Sequence, residues 1–194
     1  MPDHRWVFGY GSLVSPASLG ATIGREPQLG VDVFPAELTG YGRRWNCGLT
    51  TSVGLSDEFD GSIRHWTIVV LGLVAAAGEC VNGLVARVDE EELPALDRRE
   101  ANYDRVEVTD VTIVDGVVDA PVVVYVPRPE PITRYEDGRD GGTSAIEQRY
   151  WNLVEGAFGE LGAAHYDRYR ASTPAPDVPV VELRRQRVER SDGA

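Results

Sequence analysis

The chain has 194 residues, 42% hydrophobic and 26% charged, which suits one globular domain able to bury its own core. Nineteen Lys and Arg face 31 Asp and Glu, for a formal charge of −12. That balance excludes a duplex-binding surface, which needs clustered cations, and fits a solvated acidic exterior.

Residues 5–10 read as a first strand, broken by Gly9, Gly11 and Ser12. Ser15 before Pro16 opens a short helix, because proline is tolerated at the first helical position. Residues 31–49 alternate weakly and carry Gly40 and Gly42, the mark of a bent or bulged strand. The acidic stretch 55–64 reads as a loop. Two β-branched runs follow, 67–74 and 81–88, with 75–80 as a hairpin connection. A helix is expected from about Glu91 to Arg99, with Pro94 in its first turn. Strands over 104–114 and 117–126 flank Asp115-Gly116, a hairpin signal. Residues 127–142, rich in proline, glycine and charge, read as a long mobile loop. Apolar residues then recur at helical spacing over 143–161, with Thr143 or Ser144 as the N-cap. A last short helix spans 163–170, and a Pro-rich, then basic, tail frays at its end. Hairpin-joined strands ahead of a helical C-terminal segment predict an α+β fold rather than a Rossmann alternation. Residues 1–175 are expected to form one domain and 176–194 its tail.

Two cysteines, Cys47 and Cys80, without C-x-x-C spacing make no disulfide framework and suit a reducing cytoplasm. The first residues do not read as a signal peptide. The most apolar run, 67–78, is shorter than the ~20 residues of a spanning helix. A soluble cytoplasmic protein with no membrane or nucleic-acid partner is expected. The sequence carries no signal for oligomeric state.

Four constellations carry chemistry. The run Gly9-Tyr10-Gly11-Ser12-Leu13 ends a strand with two glycines around a tyrosine. Such a turn either brings backbone N–H groups against an anion or simply ends the strand. A dinucleotide fingerprint is excluded because Val14 stands where the third glycine is required. Ser12 also lacks the G-x-S-x-G setting of a nucleophile. In the second constellation, Leu93, Leu96 and Asp97 share a helical face with Glu100, while Arg98 and Arg99 point away. Glu100 is then a desolvated carboxyl with a raised pKa, as a general acid/base near neutral pH requires. The alternative places it just past the helix end, solvated or paired with Arg105. Third, Tyr10, Tyr103 and Tyr125 either supply hydroxyls to a polar pocket or are core aromatics with a polar tip. Fourth, Arg43-Arg44-Trp45 either attracts an anion or forms the exposed side of a strand, the latter preferred. No metal-ligand spacing is present.

Together these residues resemble the γ-glutamylcyclotransferase-like superfamily. The likeness rests on Phe8-Gly9-Tyr10-Gly11-Ser12-Leu13, on Leu96-Asp97-Arg98-Arg99-Glu100 followed by Tyr103, and on the strand 122–126 with Tyr125. Gly40-Tyr41-Gly42-Arg43-Arg44-Trp45 is similar to a stretch in glutathione-degrading members. The resemblance implies a small mixed β-barrel with helices around it. It implies Glu100 as catalytic acid/base, and Tyr10, Gly11, Ser12, Leu13, Tyr103 and Tyr125 as substrate-binding residues. It also implies no cofactor and no metal. The reaction would be intramolecular: the α-amine of a γ-glutamyl group attacks its own γ-carbonyl and releases 5-oxoproline and an amine. Glutathione, γ-glutamyl amino acids and γ-glutamyl amines are the substrate classes. A non-catalytic sensor of a γ-glutamyl metabolite, or an enzyme removing a γ-glutamyl protecting group, would keep much of the same pocket.

Overall fold

The computed structural model describes residues 3–50, 54–57, 63–64, 66–114, 116 and 118–186. In chain order its elements are β1 (His4–Gly9), α1 (Pro16–Ile23), β2 (Val33–Thr50), β3 (Gly54–Asp57), β4 (Ile63–Arg64), β5 (Thr67–Asp89) and α2 (Leu93–Arg99). They continue with β6 (Tyr103–Val108), β7 (Val111–Ile113), β8 (Val122–Pro127), α3 (Pro129–Asp140), β9 (Ser144–Glu147), α4 (Gln148–Glu160), α5 (Ala163–Ser172), β10 (Val180–Val181) and β11 (Leu183–Gln186). The fold is α+β.

The long antiparallel pair β2–β5 is the backbone of the main sheet. β2 takes one edge of β5, while β9 and β1 share the other, β9 near its start and β1 near its end. Beyond β1 lie β8, which is parallel to it, and then β6. The order is β10-β9-β5-β1-β8-β6, with β7 on the outer edge of β2. A smaller sheet joins β11, β3 and β4. Phe8, Leu38, Leu71, Leu73, Leu84, Leu96 and Phe158 are fully buried in one hydrophobic core.

Several elements form as their chemistry dictates. Ser15 caps α1, its Oγ accepting the Ser18 N–H at 3.2 Å with Pro16 behind it. β2 is bulged as Gly40 and Gly42 suggest, its register slipping between Thr39 and Tyr41 and again between Trp45 and Cys47.

Other segments depart from expectation. Residues 67–89 form one 23-residue strand and no hairpin; Gly78, at φ 84°, bends it without reversing it. The proline- and glycine-rich stretch 127–142 is not a loop but holds α3. Pro129 and Pro131 sit in the first turn, where no intrahelical N–H is lost, and Pro131, Tyr135 and Gly138 are buried along one face. The helix expected from residue 143 starts at Gln148, with Glu147 and not Thr143 or Ser144 at its N-cap. Ser144, Ala145 and Ile146 are instead buried in β9. Strands 104–114 and 117–126 do not form a hairpin about Asp115-Gly116. β6 pairs with β8, and β7 crosses to β2; Asp115 itself lies outside the described residues. Within 55–64, read as a loop, β3 and β4 pair, and the remainder lies outside the described residues. So do residues 187–194, where fraying was expected.

Candidate active site

β1 delivers the glycine motif to the sheet's end. After Gly9 the chain turns through Tyr10 and Gly11 into a single 3-10 turn, Ser12–Val14. Gly9 is required by contact: a Cβ there would lie 2.8 Å from the Leu13 carbonyl carbon and oxygen, so the loop folds back over the strand only without one. A Cβ on Gly11 would lie 3.0 Å from Tyr150 Oη. Glycine here serves close approach and not a left-handed backbone, since Gly11 has φ −129°.

α2 delivers Glu100. Leu93 and Leu96 are buried and pin the helix, which ends at Arg99. Glu100 is the C-cap, its N–H bonded to the Leu96 carbonyl at 2.8 Å. Leaving helical geometry at φ −93°, ψ 32° turns its side chain inward, to 13% exposure. Glu100 therefore lies past the helix end yet is mostly buried, a combination neither sequence alternative offered. Its partner is Arg99, with Nε 3.1 Å from Oε1; Arg105 pairs with Asp97 instead. Burial pushes the Glu100 carboxyl above its ordinary pKa, and Arg99 opposes the rise.

Tyr10, Gly11, Ser12, Leu13, Glu100, Tyr103 and Tyr125 all line one cavity, joined by Leu71 and Tyr150. The cavity is small, about 30 Å³. A broader depression, about 690 Å³, lies along α3 beside Thr67, Arg134 and Asp137. It contains none of these residues, and its breadth reflects open surface more than a buried chemical group.

The hydroxyl protons around the cavity are unequally committed. Tyr10 donates to the Tyr125 carbonyl at 2.6 Å, Tyr103 to the Leu71 carbonyl at 3.1 Å, and Tyr125 to Asp97 Oδ1 at 2.8 Å. Each of these oxygens retains only acceptor capacity. Tyr150 is the reverse: its oxygen accepts the Leu71 N–H at 3.3 Å, and its own O–H has no acceptor among the described residues. Burial pushes all four phenols upward, so all are protonated at neutral pH. In the sequence, Tyr150 reads only as one member of the helically spaced stripe over 143–161. The available signal was that a tyrosine in such a stripe still brings a hydroxyl needing a partner.

Arg43 is not on an exposed strand side. It is fully buried, stacked 4.8 Å from the Phe158 ring centroid and 5.1 Å from that of Tyr169. It donates to Thr173 Oγ1 at 3.0 Å and to the Asn82 carbonyl. Burial lowers its pKa to about 10. It fastens α4 and α5 to the sheet, and Trp45 beside it packs edge-on to Tyr150 at 6.2 Å. Among the described residues no group of three or more His, Cys, Asp or Glu is placed to hold a metal ion. No helix among them is long and apolar enough to cross a membrane.

The model of the γ-glutamyl cyclotransferase, AIG2-like family matches residues 7–153. The chain belongs to this family. The match runs from β1 through the glycine loop, Glu100 and Tyr125 to Tyr150, so every residue lining the cavity falls within it. No curated protein matches the chain. Among solved structures, a γ-glutamyl cyclotransferase is 16% identical over 89% of each chain, with a TM-score of 0.53. A yeast γ-glutamyl cyclotransferase specific to glutathione is 14% identical over 89% of this chain and 98% of its own, with a TM-score of 0.54. An uncharacterised human protein is 16% identical over 90% of each chain, with a TM-score of 0.52. At these identities the likeness is one of fold.

Proposed function

We propose that this family member is an active γ-glutamylcyclotransferase that converts a γ-glutamyl amide to 5-oxoproline and a free amine. The observation that carries the reading is a mostly buried carboxyl of raised pKa, Glu100, in the same cavity as the glycine loop. Ring closure requires the substrate's α-ammonium to lose a proton before its nitrogen attacks the γ-carbonyl. As the C–N bond breaks, the departing nitrogen must gain a proton. One carboxyl does both by accepting the first proton and returning it to the leaving amine. Because attack is intramolecular and forms a five-membered ring, the pocket's main task is to hold the folded-back pose.

The hydroxyl arrangement supports a division of labour. Tyr10, Tyr103 and Tyr125 offer oxygen lone pairs, which suit the N–H groups of the amine. Tyr150 and the N–H groups of residues 11–13 offer protons, which suit the oxygen that becomes negative in the tetrahedral intermediate. A cytoplasmic setting suits Cys47 and Cys80, both of which are free thiols.

The test is a panel of glutathione, γ-glutamyl amino acids and γ-glutamyl amines, with 5-oxoproline read by mass spectrometry and Glu100→Gln run in parallel. Product from at least one substrate is expected, with a loss of ~10³-fold in the variant. Equal rates in both proteins would remove Glu100 from the mechanism. Binding without turnover across the panel would make the chain a sensor.

A further inference from the structure

Arg99 stands outside the cavity lining, yet it contacts both Ser12 and Glu100, which line it. An arginine carries five N–H donors in a rigid fork. Nη1 donates to the Ser18 carbonyl and to Thr22 Oγ1, each at 2.7 Å. Nη2 donates to Ser12 Oγ at 3.0 Å and Ser18 Oγ at 2.9 Å. Nε forms an ion pair with Glu100 Oε1 at 3.1 Å. One side chain thus joins three pieces of the chain: the glycine loop at Ser12, α1 at Ser18 and Thr22, and the carboxyl at the end of α2.

We propose that Arg99 is the positioning residue of this site, fixing the Glu100 carboxyl relative to the Ser12 loop and setting the pH at which that carboxyl gains and loses its proton. The proposal rests on the acid/base reading of Glu100 given above. The groups facing Glu100 from the surrounding elements are Tyr10 after β1, Cys47 on β2, Tyr103 on β6, Tyr125 on β8 and Tyr150 on α4. Burial raises the pKa of each, Cys47 to about 11, so all are neutral near pH 7. Arg99 is the one cation acting on Glu100 among the described residues. Its charge therefore limits how far burial can raise the carboxyl, and its fork limits where the carboxyl can sit. α1 takes part only as an anchor: Ser18 and Thr22 hold the guanidinium without lining the cavity.

Charge and geometry separate in two variants. Arg99→Gln removes the charge. Arg99→Lys keeps it but cannot span Ser12, Ser18, Thr22 and Glu100 with one compact ammonium. The decisive readout needs no substrate: NMR titration of carboxyl-13C-labelled Glu, with the Glu100 signal assigned by its loss in Glu100→Gln. Arg99→Gln should move the Glu100 titration to higher pH, while Arg99→Lys should leave it near the wild-type position. With γ-glutamyl-alanine as substrate, Arg99→Lys should lower kcat by about 10- to 100-fold with a smaller change in KM, as expected for a misplaced catalytic group. In Arg99→Gln the acid limb of the rate profile should move up in pH with the titration.

An unchanged Glu100 titration in a folded Arg99→Gln protein would overturn the proposal, as would wild-type kcat in Arg99→Lys. If Glu100→Gln stays fully active while Arg99→Gln still shifts the Glu100 titration, the acid/base reading fails and the electrostatic link stands. Should Arg99→Gln fail to fold, Arg99→Lys alone decides the geometric half.

Discussion

Glu100 answers two opposed demands, and the opposition is measurable. The proposed acid/base role near neutral pH is served by a carboxyl with a raised pKa, and burial provides this. Folding is penalised by the same burial once the group ionises. Because the folded-state pKa lies above the unfolded value of ~4.3, the native protein binds more protons than the unfolded chain between the two. Stability therefore falls as pH rises from the unfolded pKa through the folded one and stays reduced above it. Glu100→Gln, neutral and of the same shape, should unfold at an equal or higher urea concentration than wild type at pH 7, with the difference shrinking toward pH 4. A lower midpoint at pH 7 would show that the Arg99 pair outweighs burial. Tyr150→Phe tests the uncommitted hydroxyl. It should lower kcat by about 10²- to 10³-fold, as loss of an oxyanion donor does. It should cost only about 1 kcal/mol of stability through the 3.3 Å bond from the Leu71 N–H.

At the scale of elements, the site depends on how β1 and α2 are seated. Leu96 is fully buried under α2, four residues before the Glu100 whose N–H its carbonyl accepts. Leu96→Ala should cost about 2–5 kcal/mol in urea unfolding, and some activity should be lost as well, because the void lies under the helix that aims the carboxyl. The sequence made this region legible for a physical reason. The glycine loop and the segment from Leu96 to Glu100 are short runs whose spacing and residue chemistry are local. What was not legible depended on partners elsewhere in the fold. Residues 75–80 look like a turn because they are mostly small, with Gly78 among them, but Ala75 and Cys80 pair with β2 on either side of Gly40 and the strand runs on. α3 was hidden by prolines and glycines that suggest loop. Its buried residues 131, 135 and 138 nevertheless keep helical spacing, and both prolines fall where a helix accepts them. β9 was absorbed into the following helix because a short parallel strand buried on both faces shows a continuous apolar run with no alternation. Arg99 escaped notice because helical geometry aims it away from Glu100, and only the break at the C-cap brings the two together.

Across the whole molecule, the site straddles a seam. Tyr10 and the glycine loop follow β1, whereas Tyr103 and Tyr125 lie on β6 and β8. Among the described residues those two strands join the main sheet's hydrogen-bond ladder through β1 alone. The β1–β8 ladder is short, pairing Trp6 with Val122, Val7 with Val123 and Phe8 with Val124. It is extended at its open end by Asp119, whose Oδ1 lies 3.0 Å from His4 Nε2 and accepts the Trp6 Nε1–H at 3.1 Å. Asp119 raises the His4 pKa above 6.5, while Trp6 first and His4 second hold the Asp119 carboxyl below its ordinary value. For a histidine with a raised folded-state pKa, the added stability is complete below the unfolded value of about 6.5 and is lost as pH rises through the folded one. The depressed aspartate behaves oppositely, its contribution being lost only as pH falls below the ordinary carboxylate range. The clamp is therefore strongest in mildly acidic solution and weakens toward alkaline pH. His4→Gln should lower the urea midpoint more at pH 6 than at pH 8.5, and the same difference at both would show that His4 contributes by packing alone. A hydrogen-exchange experiment on His4→Gln at pH 6 locates the effect. If the seam opens as a unit, amides of β6 and β8 should lose protection ahead of those in the β2–β5 pair, because the first two strands are held by three register pairs and the latter by the longest ladder in the protein.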